Sequence, residues 1–249
     1  MKSLPTYVIS LPFRSDRRKA MSEGLTALDI DFVFVDAVDI QFYNKTFDTN
    51  FVFSKHAIWR SHVLAYEDFL RSNFCWAVIL EDDIDFANSV LLSEAQLDKV
   101  VKNIVRDSIK IDMFQFGYNS DKSESLRQQI SDWFFTIFRF RRYEWRDMSA
   151  LLRKVGLFNF FSLSQSISIP SHKVLALKHH SERGCHYYLI NRSLATHLVE
   201  YFYGSTNVEE LLPIDTYLHW LSTYSKNYEI IRPSKSFAVQ SDSKSSNIS

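Results

Sequence analysis

Cys75-Trp76-Ala77-Val78-Ile79-Leu80-Glu81-Asp82-Asp83-Ile84-Asp85-Phe86 is the stretch on which the reading of this chain turns. The unbroken apolar run from Trp76 to Leu80 predicts a strand buried on both faces, the kind found in parallel sheets. It leads straight into Glu81, Asp82, Asp83 and Asp85. Carboxylates at the C-terminal end of such a strand stand where open α/β sheets bind their ligands. Spaced this closely they repel one another, and an ion or a shared proton relieves that cost. A hard divalent cation, Mg²⁺ or Mn²⁺, bound by one or two carboxylates and by substrate phosphates, suits the pattern. A solvated acidic loop would carry the same residues, so the flanking chain has to discriminate.

Upstream, Thr6-Tyr7-Val8-Ile9-Ser10-Leu11 predicts a first parallel strand closed by Pro12. A helix follows, with Ser15 or Asp16 as its cap and Met21, Leu25 and Leu28 on its apolar face. Asp31 to Val38 reads as the second strand, which completes a βαβ unit. Asp36 leaves that strand on the ligand edge, placed for a ribose or base, although capping a helix is the commoner role. Ser54 to Leu70 predicts a helix capped by Ser54, with Ile58, His62, Ala65, Tyr66, Phe69 and Leu70 on its apolar face. A lone histidine there is more often a hydrogen-bonded core residue than a functional one.

Downstream, Ser89 to Arg106 predicts a helix and Asp112 to Gly117 a short buried strand. From Trp133 to Phe161 aromatic residues alternate with Arg139, Arg141, Arg142, Arg146, Arg153 and Lys154. Such a segment suits an anionic membrane surface, and equally a core edge with snorkelling cations. Ser166 to Pro170 reads as an edge strand, Cys185 to Ile190 as a strand and Ser193 to Tyr203 as a helix. Asp215 falls at a helix N-terminus, where the dipole favours its charge. Tyr228 to Pro233 is the last strand, and residues 240–249 have the composition of a disordered polar tail.

Composition narrows the function. The 249 residues suffice for one large α/β domain, and residues 1–249 are read as one. Basic and acidic residues balance at 29 each, which removes the electrostatic case for a nucleic-acid partner. Two cysteines make no disulfide framework or thiolate zinc site, and imply a reducing, cytoplasmic setting. No signal peptide or spanning segment is read, so the protein is expected to be soluble or peripheral to the membrane. Five glycines assemble neither a G-x-G-x-x-G nor a Walker loop, which leaves a metal bridge as the device for holding a nucleotide phosphate.

In order along the chain, several blocks resemble glycosyltransferase family 25, the bacterial lipooligosaccharide glycosyltransferases. They are Tyr7-Val8-Ile9-Ser10-Leu11 with Arg17-Arg18, Phe34 to Val38, and Ser61-His62 followed by Val78 to Asp83. His186 to Arg192 with Ala195, Pro213-Ile214-Asp215, and Arg232-Pro233 with Gln240 and Ser245 to Ile248 continue the series. Ser54 to Arg60 departs from it, standing where a glycine-containing lead-in is expected, and residues 133–161 lie outside it. The resemblance implies a GT-A-type, Rossmann-like nucleotide-sugar-binding α/β fold with a mostly parallel central sheet, in which residues 133–161, on their composition, are read as an aromatic, basic helical insertion. It implies an inverting, metal-dependent transfer of a hexose, most often galactose from UDP-galactose. The acceptor implied is a lipid-linked oligosaccharide at an anionic inner-membrane surface. Residue by residue, Asp83 becomes the main metal ligand for Mn²⁺ or Mg²⁺, Asp85 a second ligand or a carboxylate just behind it, and His186 a further ligand or a diphosphate contact. Ser10, Leu11, Arg17, Asp36, His62 and Asp82 become donor-binding residues. Glu81 and Asp215 become catalytic carboxylates, with Asp215 the base that takes the acceptor proton.

Two other functions compete. Asp83-Ile84-Asp85 could serve as nucleophile and acid of an aspartyl-phosphate phosphatase, although two strands precede it. Alternatively, residues 133–161 could make the protein a non-catalytic membrane-surface adaptor, with the acidic loop incidental.

Overall fold

The apolar run of the acidic stretch forms β3 (Trp76–Glu81), whose residues are buried from Trp76 to Leu80. The computed structural model describes residues 4–40, 50–89, 91–106, 110–119, 165–169, 172–177, 183–205, 211–224, 227–233 and 237–238. In chain order the other elements are β1 (Thr6–Ser10), α1 (Ser15–Ala27), β2 (Val33–Asp36), α2 (Asn50–Arg71), α3 (Glu94–Arg106) and β4 (Met113–Asn119). The C-terminal half adds β5 (Gln165–Ile169), β6 (His172–Leu177), β7 (Arg183–Asn191), α4 (Arg192–Gly204), α5 (Ile214–Tyr224) and β8 (Ile230–Pro233). The basic aromatic segment at 133–161 and the tail at 240–249 lie outside the described residues.

Strands run in the order β2-β1-β3-β7-β4-β8-β6-β5. The first six form the central sheet, and β6 with β5 extends it as an antiparallel pair. β2, β1 and β3 pair in parallel, as do β4 and β8. Only β7 runs against them, wedged between β3 and β4. This is the mostly parallel, Rossmann-like architecture expected.

Alternation along β3 divides the core. Val78 and Leu80 meet Met21, Leu25, Leu97 and Val100 on the α1/α3 face. Ala77 and Ile79 meet Trp59, Val63, Tyr66, Leu198 and Leu218 on the α2/α4/α5 face. Successive side chains of a strand point to opposite faces, so an apolar run without alternation is what a sheet covered on both sides requires.

Three local expectations need correction. Arg14, not Ser15 or Asp16, caps α1, and it does so without a side-chain bond. Its guanidinium instead clamps Asp16 at 3.0 and 2.8 Å, and the Asp16 charge in the first turn complements the helix dipole. α2 begins at Asn50, so Ser54 lies inside it. Its packed face is Trp59, Val63, Tyr66 and Phe69, while Ile58 is exposed. β6 had no forecast.

Arg192, the first residue of α4, ends α2. It donates to the carbonyls of Leu70 (2.9 Å) and Phe74 (3.1 Å), and to that of Ser72, while lying over the Phe69 ring. Replacing Arg192 with Met leaves these carbonyls without a charged donor and is expected to cost about 2 kcal/mol. A lower urea midpoint at unchanged m-value would show it, and Lys would not restore the loss because it lacks the planar fork.

Candidate active site

Strand order reverses between β1 and β3, and the crevice beyond their C-terminal ends is where such sheets take ligands. Glu81 is the last residue of β3. Because β7 is antiparallel, its N-terminal end lies at this same edge. The pairing of Leu80 with Tyr187 carries Glu81 and His186 alongside each other. Both side chains share the sheet face of Ile79 and Tyr188, and α2 covers that face.

Glu81 is held by two histidines. Its Oε1 lies 3.2 Å from His62 Nε2 and its Oε2 lies 3.0 Å from His186 Nδ1. Burial alone would raise the Glu81 pKa, but the bonds from His186 and His62 and their charges outweigh it and hold the carboxyl well below its usual range. For His186 burial acts downward, yet the bond to Glu81 and the charges of Glu81, Asp83 and Asp215 keep the imidazole above its ordinary value. Asp83 is pushed up to about 6, by burial first and then by repulsion from Glu81.

The loop after β3 is anchored from below. Ile84 is buried in the α1/α3 core, and the Phe86 ring rests on α1 at Gly24, where any Cβ would overlap it at 2.3 Å. Glu81, Asp83 and His186 each offer a ligand atom within 4.8 Å of the others. Among the described residues no second group of three metal-ligating side chains comes this close. Two carboxylates and one imidazole fit a divalent ion, and the nitrogen favours Mn²⁺ over Mg²⁺, which demands oxygen ligands.

Asp85 lies outside this cluster. Its carboxylate caps its own turn, accepting from the Ala87 and Asn88 amides and from Asn88 Nδ2 at 2.6 Å. The turn that Asp85 caps thus keeps its carboxylate on Ala87 and Asn88, and Asp83 alone of the two joins the donor set. Asp82 joins a neighbouring network instead. It accepts from Ser10 Oγ at 2.7 Å and from Arg17 at 2.9 Å. Arg18 binds the Ser10 carbonyl at 2.9 Å and reaches Asp36 at 2.5 Å. The two arginines of α1 thus tie together the ends of β1, β2 and β3. Leu11, half-buried in the turn after β1, accepts from the Arg14 amide at 3.0 Å. His62 stands behind Glu81, at the rear of the crevice.

Asp215, in the first turn of α5, accepts from the Gly184 amide at 3.4 Å and from its own neighbour Thr216 at 2.7 Å. Gln115 Nε2 donates to the Gly184 carbonyl at 2.5 Å. One backbone unit therefore links β4, β7 and α5 beside His186. Sequence reasoning passed over Gln115 and Gly184, and also the hydroxyls of Tyr66 and Tyr188. The signals were a lone amide inside Met113-Phe114-Gln115-Phe116 and a tyrosine four residues after His62.

The profile of glycosyltransferase family 25 (LPS biosynthesis protein) matches residues 3–218. The chain belongs to this family. No curated protein matches it. This family-25 enzyme is accordingly a glycosyltransferase of lipopolysaccharide biosynthesis, with a nucleotide sugar as donor and an oligosaccharide as acceptor. No helix among its described residues is long and apolar enough to cross a membrane.

Proposed function

We propose that this glycosyltransferase is metal-dependent and inverting, moving galactose from UDP-galactose to a hydroxyl of a lipid-linked oligosaccharide. The observation that carries the reading is the gathering of Glu81, Asp83 and His186 at the switch point of the sheet. These residues would hold a Mn²⁺ ion, which supplies positive charge to the departing diphosphate. Arg17, already paired with Asp82, adds a fixed cation at the same edge. Asp215 takes the proton of the acceptor hydroxyl. That oxygen forms its bond to the anomeric carbon as the bond to UDP breaks, and a single displacement inverts the centre. The chain acts as one domain working at the cytoplasmic face of the inner membrane, and the cationic, aromatic composition of 133–161 supports a docking role there. The phosphatase reading loses its acid, because Asp85 caps a turn away from Asp83.

With UDP and Mn²⁺ each far above its dissociation constant, the melting temperature should rise by about 5 °C or more. Equal stabilisation by UDP in excess chelator would reject the metal. No response to either UDP or Mn²⁺ would reject the donor site.

A further inference from the structure

Tyr66 and Tyr188 take no part in the scheme above. Both are 0 % exposed and His62 is 1 % exposed, yet they carry polar atoms into a core of Val63, Phe69, Ile79 and Ile190. Buried hydroxyls and imidazoles are costly unless hydrogen-bonded. Here they satisfy one another in a single chain. Tyr66 Oη lies 2.7 Å from Tyr188 Oη, which lies 2.8 Å from His62 Nδ1, and His62 Nε2 reaches Glu81.

The direction of the chain follows from its end. The Glu81 carboxylate only accepts, so His62 Nε2 carries the hydrogen. In a neutral ring Nδ1 is then an acceptor, and the Tyr188 hydroxyl must donate to it. Tyr66 in turn donates to Tyr188. Burial pushes both phenols well above their usual range, so both keep their hydrogens.

We infer that Tyr188, backed by Tyr66, is a positioning residue that anchors the His62 ring from behind and thereby sets the Glu81 carboxylate for metal and donor. The inference rests on the metal site proposed above. Without the Tyr188 hydroxyl, His62 Nδ1 loses its partner and the ring keeps only its Glu81 contact, so Glu81 is firmly aimed from one side only, by His186. Partners one step removed from a metal ligand, as His62 is, typically govern about 10- to 100-fold in metal affinity, and Tyr188 acts one step further back.

The test uses the full chain with ¹⁵N-labelled histidine, free of metal, at pH 8, with His62 assigned through His62→Gln. Long-range ¹H–¹⁵N correlations should report hydrogen on Nε2 of wild-type His62, the arrangement in which it donates to Glu81. Mn²⁺ affinity, read from the paramagnetic resonance of the free ion, should fall about tenfold in Tyr188→Phe, the low end of the range for such partners, and less in Tyr66→Phe. A wild-type His62 ring with hydrogen on Nδ1 alone, which cannot donate to Glu81, overturns the inference, and that result needs no variant to fold. Wild-type Mn²⁺ affinity in a folded Tyr188→Phe overturns it too. A wild type with hydrogen on Nε2 that binds no Mn²⁺ supports the direction of the chain and rejects the metal site instead.

Discussion

Asp83→Asn is expected to lower sugar transfer about a thousandfold or more, the scale on which charge stabilisation of a leaving group is lost, while making the metal-free protein more stable at pH 7.5. Both effects come from the same carboxyl. In the fold its pKa is pushed up to about 6, whereas in the unfolded chain it takes the ordinary value of about 4. Between those values the native state binds the proton and the unfolded state does not, so stability falls as pH rises through that window. The loss is complete above it. Asparagine carries no charge to bury, so the variant should gain on the order of 2 kcal/mol at pH 7.5 and nothing near pH 4. Melting curves in chelator at the two pH values measure this, alongside turnover with excess Mn²⁺. A variant less stable than wild type at pH 7.5, or one that still transfers sugar, contradicts the role given to Asp83. Ion binding itself should weaken as pH falls, since a proton on Asp83 or on His186 competes with the metal.

Gly184→Ala should damage fold and site together. The residue has φ +95°, where an L side chain is strained. A Cβ there would stand 2.2 Å from His186 Nε2, so the imidazole would have to turn and break its 3.0 Å contact with Glu81. The Gly184 amide and carbonyl also hold Asp215 and Gln115. Strain plus overlap should cost about 2–4 kcal/mol, with Mn²⁺ binding and transfer both falling at least about a hundredfold. Gly204→Ala is the control. Nothing lies within 4 Å of a Cβ there, so that change should be neutral or slightly stabilising in both urea unfolding and turnover.

The parts of this protein that local pattern governs were legible beforehand. The run Trp76 to Leu80 read as a strand covered on both faces, which put the carboxylates at its end on the ligand edge once the flanking strands were taken with it. β1, β2, β8 and α5 follow from similar short signals. What depended on pairing across the chain was not legible. His186 could be suspected, but its place beside Glu81 follows from the antiparallel register of β7, which no periodicity encodes. Tyr66 and Tyr188 read as ordinary aromatic core residues because a hydroxyl's partner is a tertiary fact. Asp83 and Asp85 look equivalent in sequence, and what separates them is the turn at Asn88 that takes up the Asp85 carboxylate. The α1 cap went to Arg14 because Asp16 was drawn into an ion pair. Ile58 was assigned to the packed face although Trp59, one position on, occupies it.

The wedging of β7 between β3 and β4 bears on how the molecule comes off the ribosome. From Asn119 to Asn191 is 72 positions, roughly 4–14 s of synthesis at about 5–20 residues per second. Throughout that interval two highly apolar strands wait with their facing edges bare, and bare edges invite pairing with other chains. The nascent polypeptide should therefore be a chaperone client until its last third emerges. Catalytic competence would be acquired in a single late event, when one central strand slots home.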